Sequence, residues 1–201
     1  MRFVKSGAGL WLIATLAAWP GHAATGVPVP AVWKEHHVDF TYFGRTSRYS
    51  CDGLSDKVRA MLLDLGARRD LKIAAIGCAE FGRPPGPNSI NPSLDIVFSA
   101  PALPDAAAKP RHPGDLAPVD ARFEPFTIEP DAFRDMSVGD CELVEEFARQ
   151  ILPQLTTHGL KQEITCVPYQ LSGSRYFLRG QVLRALPPSE ESALRKAPAP
   201  K

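Results

Sequence analysis

The four cysteines of this 201-residue chain fall into two stretches that share one pattern, and that pattern constrains the fold more than any other feature. Cys51, Asp52, Leu54, Val58, Leu62, Leu63, Leu71, Lys72 and Cys78 recur as Cys141, Glu142, Leu143, Phe147, Ile151, Leu152, Leu160, Lys161 and Cys166. Leu54 through Lys72 map onto Leu143 through Lys161 without a gap. The spacing predicts an internal duplication, so that one small unit is built twice.

The periods switch in the same order in both copies. Val38, Phe40 and Tyr42 alternate with Asp39 and Thr41, the two-residue period of a half-buried strand. Leu54, Val58, Met61, Leu62 and Leu65 then recur at helical spacing, with Asp56, Lys57, Arg59 and Asp64 on the other face. Leu71 to Cys78 and Leu94 to Ser99 read as strands. In the second copy Phe123 to Ile128 reads as a strand broken by Pro125, Cys141 to Leu155 as a helix, and Leu160 to Val167 and Tyr176 to Leu186 as strands. Pro153 should end or kink that helix near Leu152, because its ring clashes with a carbonyl one turn earlier. The expected fold is α+β: two tandem βαββ repeats forming one mixed or antiparallel sheet, both helices on one face, one disulfide per repeat.

Element lengths test the disulfide pairing. A helix of roughly 14 residues rises about 21 Å, and a strand of roughly seven residues running back beside it covers about 23 Å. Cys51 and Cys78 therefore arrive at one edge, as do Cys141 and Cys166. The expected bonds are Cys51–Cys78 and Cys141–Cys166, each a staple between helix and sheet.

Proline divides the chain. Residues 24–36 read as an N-terminal arm, 37–100 as the first repeat, 101–121 as a Pro/Ala-rich linker, 122–186 as the second repeat and 187–201 as a disordered tail. Residues 1–23 read as a signal peptide. Arg2 and Lys5 precede the apolar run Leu10 to Trp19, which is too short to span a bilayer, and Gly21, His22 and Ala23 offer a cleavage site. The expected product is a periplasmic protein without stable membrane insertion, in a compartment that permits disulfides. Loss of two positive charges with the leader takes the formal net charge from +1 to −1, which gives no electrostatic reason to expect nucleic acid as a partner.

The best ligand candidate is Gly44 to Ser50. Arg45 and Arg48, several hydroxyls including Ser50, and the free amides of the first helix could hold a carboxylate, phosphate or sulfated glycan. Its counterpart, Phe133 to Asp140, is acidic. The loops carrying Arg83 and, in the second copy, Tyr169 to Gly173 are expected at the same disulfide end, as a partner surface. Asp140, Glu142, Glu145 and Glu146 crowd the start of the second helix, where they complement its dipole and cap amides.

Metal and redox chemistry find less support. His36 and His37 point to opposite faces of one strand, His112 and Asp115 lie in the linker and His158 in a turn, all read as surface residues. No cluster has the spacing of a metal site, and no cofactor is expected. Neither copy has the Cys-x-x-Cys spacing of a thiol–disulfide exchanger, and no Gly-x-Ser-x-Gly elbow surrounds Ser47, Ser50 or Ser55. The expectation is a non-catalytic binding or accessory protein that meets another envelope protein or an anionic ligand. An exported enzyme is the rival. Buried polar residues hydrogen-bonded to one another in a cleft favour the rival, whereas an exposed apolar or arginine-rich rim favours binding.

Overall fold

The alternation of Val38, Phe40 and Tyr42 marks the end of a strand longer than its periodicity predicts. The computed structural model describes residues 26–76, 92–104 and 117–190, and places this strand, β1, at Val29–Thr41. There follow α1 (Cys51–Asp64), β2 (Lys72–Ile76), β3 (Ser93–Ala102), β4 (Pro118–Ile128), α2 (Cys141–Gln150), β5 (Thr157–Thr165) and β6 (Arg175–Ala185). The strands pair antiparallel in one sheet of order β2-β3-β1-β4-β6-β5. The fold is thus α+β with one antiparallel six-stranded sheet. Each half runs strand, helix, strand, strand, and the order reads alike from either edge, with β1 beside β4 at the centre.

Proline misleads at that centre. The expected arm to residue 36 is instead the first part of β1, and β4 begins within the expected linker. Residues Val29 to Val32 pair with β4, whereas pairing with β3 begins only at Val32. Pro30 therefore has a strand on one side alone, and Pro125 pairs with Gln181 of β6 beyond the reach of β1. A proline is tolerated in a strand where its donorless nitrogen faces an unpaired side. Like Cys51 and Cys141, which stand ninety residues apart, Val29 and Ala31 of β1 stand ninety residues before Val119 and Ala121 of β4. Those four, with Leu183 and Phe123, form a small apolar cluster.

The opposite face carries the main core. Phe40 of β1, Ile96 and Phe98 of β3, Ile128 of β4 and Leu178 of β6 join Leu54, Val58, Met61 and Leu62 of α1 and Leu143, Val144 and Phe147 of α2 in one cluster. His36, read as a surface residue, belongs to this side: it is buried and stacks on Phe98, ring centroids 5.1 Å apart. Pro153 acts as expected. Helix α2 stops at Gln150, and a 3-10 turn over Leu152–Gln154 leads into β5, which takes His158 into the strand rather than a turn. The Gln150 carboxamide serves as a strand neighbour at the end of β1, accepting from the Thr41 amide at 2.9 Å and donating to the Thr41 carbonyl at 2.8 Å. Beyond β6 the expected tail is held at its start, where Arg122 donates to Glu190 at 2.6 Å.

Cys141 and Cys166 are bonded as expected, closing a separation of 25 residues. Cys51 sits half-buried at the first position of α1 and forms no disulfide among the described residues. Cys78 and Arg83 lie outside them.

Candidate functional site

The loop that follows β1 and the loop that follows β4 meet at the start of α2, and their contact joins the two halves. Both run into helices, so both bring backbone donors with no partner of their own. The encounter satisfies them with side chains from across the dividing line.

Glu142 is the first example. Its Oε2 accepts from the amides of Arg45 and Thr46, each at 2.7 Å. The segment expected to bind an external anion therefore grips a carboxylate from the second half, and Glu142 does not serve only its own helix. Ser50 is also committed: it caps α1, its hydroxyl accepting from the Gly53 amide at 3.1 Å. Arg45 and Arg48 remain exposed.

Asp140 is the second. It is buried, and its carboxylate accepts from the Tyr49 hydroxyl at 2.6 Å, the Ser137 amide at 2.7 Å and the Ser137 hydroxyl at 3.0 Å. Lys57 completes the set at 3.1 Å and also donates to the Asp135 carbonyl at 2.7 Å. Burial pushes the Asp140 pKa up, but the bonds from Tyr49, Ser137 and Lys57 outweigh it and hold the carboxyl below its ordinary value. Burial, then the bond to Asp140, drives the Tyr49 pKa upward, so Tyr49 stays a proton donor.

Hydroxyls close the gaps between the loops. Tyr42 donates to the Ser47 carbonyl at 3.0 Å, Ser47 to the Gly139 carbonyl at 2.6 Å and Tyr176 to the Ser137 carbonyl at 3.0 Å. Only glycine fits at position 44, because a Cβ there would lie 2.0 Å from the Tyr42 hydroxyl oxygen.

Above this cluster lies an exposed rim. Thr46 binds the segment after Cys166, its hydroxyl accepting from the Tyr169 amide at 3.0 Å, and Arg45 donates to the Tyr169 hydroxyl at 3.3 Å. Val167 and the turn at Ser174 are tied by a further bond, from the Val167 amide to the Ser174 hydroxyl at 2.9 Å. Tyr169 is 70% exposed and Leu171 58%, with Phe43 nearby in chain at 49% and lying under the Arg149 guanidinium. Tyr169 holds φ at +64°, which tyrosine seldom adopts. The structure thus brings together Arg45 and the loop of Tyr169 and Leu171, as the sequence anticipates. The sequence reading omits the gripping role of Glu142 and the burial of Asp140, because both depend on a loop some ninety residues away.

Comparison with protein-family models, curated proteins and solved structures finds no match for this chain. Among the described residues no helix is long and apolar enough to cross a membrane.

Proposed function

We propose that this is an exported, periplasmic, non-catalytic binding or accessory protein that meets another envelope protein through the rim of Arg45, Arg48, Tyr169 and Leu171. The carrying observation is a large, amphipathic side chain, Tyr169, left exposed while its backbone is pinned by Thr46. Aromatic and arginine side chains on a rigid support lose little freedom on binding and supply most of the affinity at protein interfaces. The buried polar cluster below speaks for support rather than for chemistry. Asp140 already receives four donors and Glu142 two, and the hydroxyls of Tyr42, Ser47 and Tyr176 point at backbone carbonyls.

The reading is tested by pull-down from the organism's own envelope extract. Wild-type mature protein is compared with Tyr169→Ala/Leu171→Ser and Arg45→Ala/Arg48→Ala. One partner should be retained by the wild type and lost by both variants, with thermal stability unchanged. A partner that all three retain equally would place the binding face elsewhere. Fractionation and N-terminal mass should find the chain in the periplasm, starting after Ala23; a cytoplasmic, full-length chain would refute export.

We further propose that the halves descend from one duplicated βαββ unit, and that Cys51 pairs with Cys78 as the counterpart of Cys141–Cys166. Supporting this are the symmetric strand order and the equivalent stations of Lys72, opposite Val97 on β3, and Lys161, opposite Arg179 on β6. Thiol titration of the denatured, unreduced protein should then find no free thiol. Two thiols per chain would contradict the pairing.

A further inference from the structure

The two edges of the sheet differ in one device. Strand β5 carries a bulge: His158 stands opposite Gln181 and Lys161 opposite Arg179, so three steps on β5 match two on β6. Gly159 absorbs the extra residue at φ +61°, a conformation glycine adopts without penalty. Without the bulge, His158 and Lys161 would point to opposite faces; with it, both stand on the face that Arg179 and Gln181 share. That face is the one away from the helices, because Leu178 and Val182, which alternate with them on β6, are buried in the main core. Across β6 the ranks continue, with Thr127 opposite Arg179 and Pro125 opposite Gln181.

These six residues line a groove of about 330 Å³, with Gly159 and Gly180 between them. No aspartate or glutamate is among its lining residues. Lys161 faces Arg179 directly, and like charges opposed across neighbouring strands repel and destabilise the pairing. The nearest carboxylate along β5, that of Glu163, is engaged by Arg175 at 2.9 Å. The Arg179 guanidinium lies 4.8 Å over the Phe177 ring, a stacking that orients the planar group and leaves its N–H edge for a ligand. In the first half the corresponding partner of Lys72 is Val97, so the doubled charge belongs to the second half alone.

We infer that this groove is a binding site for a small ligand bearing a phosphate or sulfate group. A doubly charged tetrahedral oxyanion relieves the repulsion between Lys161 and Arg179. Arg179 offers it a two-pronged donor, Lys161 a point charge, and Thr127 and Gln181 neutral donors beside them. The site is separate from the rim, so it stands whether or not the rim binds a protein.

The test is calorimetric titration of the full oxidised protein with sodium phosphate, pyrophosphate and sulfate, against sodium chloride of equal ionic strength. At least one oxyanion should bind saturably at one site per chain, and the tighter of phosphate and sulfate identifies the group. Arg179→Gln and Lys161→Gln should each weaken binding at least tenfold, while Arg45→Ala/Arg48→Ala leaves it unchanged. All these side chains are exposed, and melting curves check that each variant is folded. Absence of saturable binding, an effect that sodium chloride reproduces, or equal affinity in the Arg179 and Lys161 variants would overturn the inference.

Discussion

Asp140→Asn lowers stability at neutral pH by about 3 kcal/mol, the low end for breaking a buried charge pair from one side. The wild-type carboxylate is 5% exposed and only accepts, which suits four donors converging from Tyr49, Ser137 and Lys57. Asparagine keeps one acceptor oxygen for Tyr49 and Lys57 and turns an NH2 toward the Ser137 amide, leaving donor facing donor there and Lys57 without its counter-charge. Lys57 is partly exposed and recovers some hydration, which keeps the loss from being larger. The substitution also changes the response to acid. The Asp140 pKa is lowered on folding, so its contribution is fully present above the ordinary carboxyl value of 3.8 and is lost as pH falls through the lower folded value. Urea unfolding of both proteins at pH 7 and pH 3 should show the wild type losing part of its advantage at the lower pH. An advantage that is absent at pH 7, or undiminished by acid, would mean that the carboxylate is not the keystone described above.

Removing the Cys141–Cys166 disulfide has an effect of similar size by another route. Cys141→Ala/Cys166→Ala frees a loop whose ends are 25 residues apart, which restores unfolded-chain entropy equivalent to about 3 kcal/mol. For a chain of this size that is a fall in Tm of roughly 10 °C. Cys141 is the first residue of α2 and is buried, while Cys166 directly follows β5 and begins the segment that carries Tyr169. The bond therefore anchors the rim to the helix that holds Glu142. The variant should lose rim-dependent partner binding more than its modest exposure of surface would suggest, because Tyr169 must then be ordered on binding. A Tm within a degree or two of wild type would show that packing around Leu143 and Phe147 suffices to hold this corner.

The amino-acid sequence by itself determined the kind and order of the elements. Alternation at Val38, Phe40 and Tyr42 and helical spacing from Leu54 to Leu65 are local properties, and the buried faces follow them. Pairing of Cys141 with Cys166 also followed, because the rises of a helix and a returning strand can be compared without knowing the sheet. Three things needed the tertiary structure. Pro30 and Pro125 could enter strands only because each has a neighbour on one side, which is a matter of sheet order. Glu142 and Asp140 looked like first-turn acids of α2, and only the approach of a loop ninety residues away makes one a clasp for backbone amides and the other a buried junction. Lys161 and Arg179 are neighbours solely through a register that a single extra residue at Gly159 sets. Periodicity reports which side of an element is apolar; which charges end up face to face depends on pairing between segments, and no local pattern records that.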